Sequence, residues 1–200
     1  MALIAVVLYL VFGVLGFGWR SWRQWRMTGS TGFRGVSGRF GSLEWIAGVG
    51  FVAAVVIGVA APLLQLAGML FPLEVLLATW IQTTGVVVAV AGIGATVYAQ
   101  HDMGESWRIG VDPNEATTLV RPGVFAVVRN TIFSAMLVFA AGSVLVAPNP
   151  LALAGFALLV AAIELQVRGV EEPYLRTVHD QQYHAYTAAV GRFVPRVGLS

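Results

Sequence analysis

Long apolar runs separated by polar segments dominate the chain. Five runs contain almost no charged residues, and each approaches or exceeds the length of about 18 residues with which a helix crosses a bilayer. They cover residues 3–19, 43–61, 72–98, 132–147 and 151–167. This pattern predicts an all-α integral membrane protein with five transmembrane helices.

Helix breakers set the predicted boundaries. Pro62 is expected to end the second run, and the turn sequence "APNP" at 147–150 joins the last two runs as an antiparallel hairpin. The third run is long enough to tilt. No positive residues precede the first run and no A-x-A-like cleavage site follows it, so it is expected to be a retained span and not a signal peptide.

The positive charges predict an orientation. All twelve are arginines, and they fall only between runs one and two, between runs three and four, and after run five. With five spans these three segments share one side of the membrane, which the positive-inside rule places in the cytoplasm. The N-terminus is then outside and the C-terminus cytoplasmic.

The composition narrows the classes of function. With 58% hydrophobic and 11% charged residues, the chain is too apolar for a soluble domain. It has no cysteine, which excludes disulfides, thiolate metal sites and cysteine nucleophiles, and its three histidines do not form a metal-ligand pattern. The net charge of +2 favours membrane lipids over nucleic acid as partners. The sequence does not predict an oligomeric state.

The candidate chemistry lies in two polar segments on the predicted cytoplasmic face. Residues 99–131 and 168–200 hold seven of the ten acidic residues and all three histidines. We therefore divide the chain into a unit 1–98, with three spans and an arginine-rich loop 20–42, and a core 99–200. The plain interpretation of the first polar segment is a solvated loop anchored at the membrane surface by Trp107, Arg108 and Arg121.

Three charged residues lie at the end of the fifth run and just after it. Glu164, Arg168 and Glu171 share one helical face at spacings of four and three residues. Glu164 lies at membrane depth, where a carboxylate is either a functional group or one half of an ion pair that eases the helix out of the bilayer. Nearby, "EEPYL" places two carboxylates beside Tyr174, a combination that suits a cation.

Two glycine-rich stretches resemble fragments of a dinucleotide-binding loop. These are "GVGFVA" at 48–53 and "GIGATV" at 92–97. Both lie inside apolar runs and neither follows a strand, so we interpret them as sites of close helix packing. The chain contains no Ser-His-Asp order, Walker loop or HExxH motif.

Four motifs together resemble a known superfamily. "MGESWRIGVD", "TLVRPGVFAVVRNTIFSAM", "EEPYL" and "YHAYTAAVGRFVP" are similar to the isoprenylcysteine carboxyl methyltransferase and phospholipid methyltransferase superfamily over roughly residues 99–197. The resemblance implies methyl transfer from S-adenosylmethionine, bound in a cytoplasmic pocket, to an acceptor reached from the membrane. It implies these cofactor-binding residues: Leu119, Val120, Gly123, Phe125, Arg129, Asn130, Phe133, Glu171, Glu172, Tyr183 and Arg192.

The resemblance gives Arg129 and Asn130 a role at the start of an apolar run. Arg129 is expected to pair with the carboxylate of the cofactor, beside the donor and acceptor of Asn130; the alternative for Arg129 is a membrane-surface anchor. The chain departs from the family pattern at Thr131, Phe133 and Ala135, where proline, tyrosine and glycine are usual. These departures put the substrate in doubt and are compatible with an inactive member.

The resemblance leaves the acceptor open. Glu164 and Arg129 are the candidate catalytic residues, with His101 or His179 as other candidate bases for a thiol or amine acceptor. The absence of lysine together with abundant Ala, Gly, Val and Arg suggests a bacterial inner-membrane protein, so a lipophilic small molecule is favoured over a prenylated protein. The alternatives are a nicotinamide-dependent membrane reductase related to sterol reductases, and a non-catalytic scaffold.

Overall fold

The protein folds into a bundle of apolar helices. Its computed structural model describes residues 1–31, 35–104 and 119–200. Within these ranges the chain is helical and contains no β-strand, which confirms the predicted fold class. The predicted anchors Trp107 and Arg108 lie outside the described residues. The helices are α1 (Ala2–Thr28), α2 (Leu43–Leu66), α3 (Thr79–Met103), α4 (Thr131–Val146), α5 (Pro150–Gln166) and α6 (Glu172–Ala189).

The helix ends agree with the apolar runs at α4 and α5 and differ at α2 and α3. Helix α2 continues through Pro62 to Leu66, where the sequence predicted an end. Proline is tolerated inside apolar helices because neighbouring groups satisfy the freed backbone carbonyl. Helix α3 begins at Thr79 and not at residue 72, because the 3₁₀ turn Glu74–Leu76 precedes it. Hydropathy alone does not distinguish such an apolar turn from a helix.

Four helical stretches of the described chain are long and apolar enough to cross a membrane: α1, α2, α3 and the stretch Pro150–Ala189, which begins with α5. Helix α4 has 16 residues. At 1.5 Å per residue it is about 24 Å long, less than the roughly 30 Å of a hydrocarbon core. The fifth crossing, through α4, therefore stays a prediction.

Small residues bring α3 and α4 into close contact. A Cβ atom added to Gly92 would lie 2.4 Å from the backbone nitrogen of Phe139, and one added to Gly142 would lie 2.4 Å from that of Ala89. The packing interpretation of "GIGATV" is thus confirmed at Gly92. In "GVGFVA", Gly50 lies against α5, where an added Cβ would be 3.4 Å from that of Ala162.

The turn between α4 and α5 is fixed by the fully buried Asn149. Its Oδ1 accepts a hydrogen bond from the Ala152 N–H at 2.8 Å and caps α5. Its Nδ2 donates to Gln65 Oε1 at 2.8 Å and to the Ala61 carbonyl at 3.3 Å, both on α2. The predicted hairpin turn is therefore also a joint between three helices.

Helix α5 continues into α6 through a π-helical turn at Val167–Glu171, and α6 is kinked at Asp180, whose φ of 39° and ψ of −117° are not helical. From residue 150 to residue 179, before the kink, the stretch is about 45 Å long at 1.5 Å per residue, which is more than the roughly 30 Å of a hydrocarbon core. The apolar α5 is thus followed directly by the more polar α6. The first residue of α6, Glu172, lies beside the start of α4, where it contacts Arg129.

Candidate functional site

Three charged side chains meet at the start of α6. Glu172 Oε1 accepts hydrogen bonds from Arg129 Nη2 at 3.1 Å and from Arg192 Nε at 2.6 Å, while its Oε2 accepts from Arg192 Nη2 at 2.9 Å. The side chains of Arg129, Glu172 and Arg192 are only 2%, 6% and 12% exposed. These residues form a buried cluster of two cations and one anion, the Arg129–Glu172–Arg192 cluster.

Arg129 also binds the backbone of the C-terminal region. Its Nη1 donates to the carbonyls of Thr187 at 3.0 Å and Val190 at 2.6 Å, and its Nη2 donates to the carbonyl of Gly198 at 3.2 Å. The buried Nε has no hydrogen-bond partner. Both terminal nitrogens are thus engaged within the protein, so a two-pronged pairing with a cofactor carboxylate requires some of these bonds to be exchanged.

The backbone at the start of α4 is bound to the same region. The N–H groups of Arg129 and Asn130 donate to the carbonyls of Gly191 at 2.9 Å and Arg192 at 3.1 Å. Asn130 Nδ2 donates to the Arg192 carbonyl at 3.2 Å, and Ser134 Oγ to that of Phe193 at 2.8 Å. A charged and polar start to an apolar helix is therefore explained by its docking against residues 190–198.

The electrostatics of the cluster favour its charged form. Burial alone would raise the pKa of Glu172, but hydrogen bonds from Arg192 and Arg129 outweigh it, so the pKa of this carboxyl is lowered. The hydrogen bond to Glu172 raises the pKa of Arg192 in return. Two guanidinium groups share one carboxylate, and Nη2 of the more exposed Arg176 lies 3.9 Å from Glu172 Oε2, so the groups around this carboxylate leave a net positive charge.

An aromatic group packs beside the cluster. Tyr183 and Tyr186 are buried and pack with Val190, with the half-buried Leu119 against them. Tyr186 Oη donates to the carbonyl of Phe125 at 2.6 Å, which attaches α6 to the short turn Gly123–Ala126. Burial raises the pKa of both tyrosines to about 12, so both hydroxyl groups stay protonated.

The turn Gly123–Ala126 is held from the other side by α3. Asp102 Oδ2 accepts a hydrogen bond from the Val124 N–H at 3.0 Å. Gly123 has a φ of +63°, and a Cβ there would lie 2.1 Å from Asp102 Oδ2. Only glycine fits this position, since it needs both the left-handed backbone and the space. Val120 is half-buried just before the turn.

The other predicted site residues lie outside this group. Glu164 forms an ion pair with Arg168, the partner that the spacing predicts, and its side chain is 37% exposed. Glu171 is half-buried and accepts a hydrogen bond from Gln166 Nε2 at 3.3 Å. Phe133 packs among the apolar side chains of the helix bundle. Glu164 forms no ion pair with the cluster, although its negative charge adds to the effect of the Glu172 hydrogen bond that raises the pKa of Arg192. Its catalytic role stays a prediction.

Four contributors to the site were not among the predicted residues. Tyr186 had a visible signal, since "YHAY" repeats the aromatic of Tyr183 after three residues. Asp102, Thr187 and Gly198 had none. Asp102 is 22 residues from its partner Val124, and the carbonyls of Thr187 and Gly198 act through backbone that every residue has.

The comparisons with known proteins bear on the same region. The family model described as phospholipid methyltransferase matches residues 80–182, just over half of the chain. This range holds most of α3, all of α4 and α5, and the start of α6, and so includes Arg129 and Glu172; Arg192 follows it. No curated protein matches the chain.

Proposed function

Because the chain belongs to the phospholipid methyltransferase family, we propose that it transfers a methyl group from S-adenosylmethionine to a lipophilic acceptor that partitions into the bilayer. The observation that carries the proposal is the location of the Arg129–Glu172–Arg192 cluster. It lies where the apolar helices α4 and α5 adjoin polar chain, and this is the kind of boundary at which a polar cofactor and an apolar acceptor can meet.

The donor set of the site is compatible with the cofactor. The methionine part of S-adenosylmethionine ends in a carboxylate, and the cluster has a net positive charge and a buried Arg129 Nε–H without a partner. Arginine suits a carboxylate because its donors form a planar fork. The half-buried Glu171 lies next to the cluster in sequence and provides negative charge for the cationic groups of the cofactor. The residues proposed to hold the cofactor are Arg129, Asn130, Glu171 and Arg192.

Four further predicted residues have supporting roles in this proposal. Leu119, Phe125 and Tyr183 supply apolar and aromatic surface for the adenine ring, and Glu172 holds the two arginines in place. The sulfonium group of the cofactor is itself the methyl donor, so the protein has to position the acceptor and exclude water. The closely packed aromatic group beside the cluster serves the second task.

The acceptor is proposed to enter from the bilayer between α4 and α5. Glu164 lies on α5 two turns before Glu172 and is the carboxylate that such an acceptor meets first. A carboxylate acceptor needs no base, whereas an amine or a thiol loses a proton to Glu164, His101 or His179. Phe133 stands where the family usually has a tyrosine, so this position provides shape and no hydroxyl group.

Isothermal titration calorimetry on the purified protein in detergent tests the cofactor. We expect saturable binding of S-adenosylmethionine and none of NADPH. Binding of NADPH instead would favour the membrane reductase. Binding of neither would favour a non-catalytic scaffold, an outcome compatible with the departures at Thr131, Phe133 and Ala135. Transfer of a labelled methyl group to a membrane lipid extract then tests the reaction itself.

A further inference from the structure

In the last part of α1, residues 19–28, polar side chains occupy the buried positions and tryptophans occupy exposed ones. Arg20 and Gln24 are 5% and 4% exposed, whereas Trp19, Trp22 and Trp25 are 53%, 48% and 52% exposed. A helix on a water-exposed surface buries its large aromatic side chains and exposes its charges. The outward face of this segment is therefore suited to an environment that is less polar than water.

The buried side fixes which face points outward. Arg20 Nη2 donates a hydrogen bond to the carbonyl of Gly104, at the end of α3. One turn earlier, Gln100 Nε2 donates to the carbonyl of Gly16 at 2.8 Å, within the π-helical turn Gly13–Trp19. Rotation of the segment to bury its tryptophans would break these buried polar contacts. The exposure of the aromatic side is thus a property of the packed structure.

The outward side carries two guanidinium groups among its indole rings. One helical face holds Trp19, Trp22, Arg23 and Arg26, because these residues follow one another at spacings of three, one and three positions. We call this surface the Trp–Arg face. The rings of Trp19 and Trp22 lie 4.9 Å apart, and the Arg26 guanidinium lies 5.5 Å above the Trp22 ring. The chain has no acidic residue before Glu44, so no carboxylate in α1 balances this charge.

The position of the Trp–Arg face identifies its surrounding. The apolar part of α1 ends at Trp19, so the face begins where that helix leaves the hydrocarbon core. Indole rings concentrate at this depth, and arginines there attract anionic headgroups. We propose that the Trp–Arg face is a binding site for an anionic phospholipid of the surrounding leaflet, with Arg23 and Arg26 donating to its phosphate and the two indole rings packing on its glycerol region.

A lipid titration read by native mass spectrometry tests this proposal. The protein in a neutral detergent is titrated with phosphatidylglycerol or with phosphatidylcholine of the same acyl chains, and the apparent Kd of the first lipid adduct is measured. We expect tighter binding of phosphatidylglycerol. Arg23→Gln/Arg26→Gln should weaken it by roughly fivefold for each arginine, since one arginine near an anionic surface contributes about 1 kcal/mol. Trp22→Ser should weaken it less, because both charges remain.

The matched control is Arg39→Gln/Arg196→Gln, which removes the same charge from two exposed arginines elsewhere. It should keep the wild-type preference, and thermal unfolding should show that both double variants are folded. Equal binding of the two lipids, or an equal loss in the control, would overturn the proposal. Free glycerol 3-phosphate is added as a competitor; displacement of the lipid by it would assign the arginines to a soluble phosphate compound, and no displacement supports the lipid.

Discussion

Arg129 joins four parts of the chain through one guanidinium group. It contacts Glu172 and the carbonyls of Thr187, Val190 and Gly198. Arg129→Ala would leave these acceptors buried with fewer donors, so we expect a loss of about 3–5 kcal/mol in the free energy of unfolding. Chemical denaturation in one detergent measures it. Arg168→Ala, which breaks the exposed pair with Glu164, is the control and should cost less than about 1 kcal/mol.

Cofactor affinity is a separate readout for the same position. If Arg129 binds the cofactor carboxylate, Arg129→Ala should weaken the binding of S-adenosylmethionine by about 1.5–3 kcal/mol. Arg129→Lys should keep the fold better and restore only part of this affinity, because an ammonium group lacks the planar fork. Calorimetry on folded Arg129→Lys measures the affinity for S-adenosylmethionine. Wild-type affinity in this variant would limit Arg129 to a structural role.

Glu172 predicts a pH dependence of stability. Its pKa is lowered from the ordinary value of 4.5, so its contribution is complete above that pH and is lost as the pH falls through the lowered value. As the pH falls from neutrality to below 4.5, the unfolding midpoint of the wild type should therefore fall more steeply than that of Glu172→Gln. Glu164→Gln, on an exposed carboxylate, should keep the wild-type profile. Parallel profiles for all three proteins would contradict the assignment.

Glu164 separates a catalytic from a structural role. Since its pair with Arg168 is exposed, Glu164→Gln should barely change the fold. If Glu164 orients or deprotonates the acceptor, the variant should bind S-adenosylmethionine normally but lose methyl transfer to the lipid extract. Affinity and rate are measured on one purified sample, with Arg168→Gln as the matched variant. A wild-type rate in Glu164→Gln would exclude the catalytic role.

At the scale of elements, the contact of α3 with α4 depends on glycines that have no substitute. Gly92→Ala would place a methyl group 2.4 Å from the Phe139 backbone nitrogen, so the helices must separate, at a cost of about 1–3 kcal/mol. Gly94→Ala, two residues on in the same helix, meets no atom within 4 Å. It should be neutral or stabilise by up to about 1 kcal/mol. Unfolding midpoints of the two variants test the contrast; equal values would contradict the packing.

Local sequence predicted most elements, and it failed where contacts are distant. The turn at Pro148 and Asn149 was predictable because the residues that end one helix and cap the next are neighbours in sequence: Asn149 caps α5 through the N–H of Ala152, only three residues later. The start of α3 was not, because an apolar 3₁₀ turn has the same hydropathy as a helix. In the site, Arg129 and Glu172 were each predicted through the family resemblance, but their mutual contact spans 43 residues, which no local pattern encodes.

At the scale of the whole molecule, the arginine distribution predicts how the chain is threaded through the membrane. Reporter fusions after residues 30 and 115 and at the C-terminus should report the cytoplasm, and fusions at 66 and 149 should report the outside. The fusion at 149 is decisive, because it follows α4, the helix shorter than a hydrocarbon core. A cytoplasmic report there would show that α4 does not cross, and would leave the other fusions to define a new arrangement.

The docking of α4 against residues 190–198 also has a consequence for biosynthesis. When α4 leaves the ribosome, the partners of Arg129 do not yet exist, and the Gly198 carbonyl is made 69 residues later. Helix α4, the shortest apolar helix among the described residues, is therefore made with an unneutralised guanidinium group at its start. Completion of α6 and of the segment after it supplies the missing acceptors, so assembly of this region is expected to be one of the last steps of synthesis.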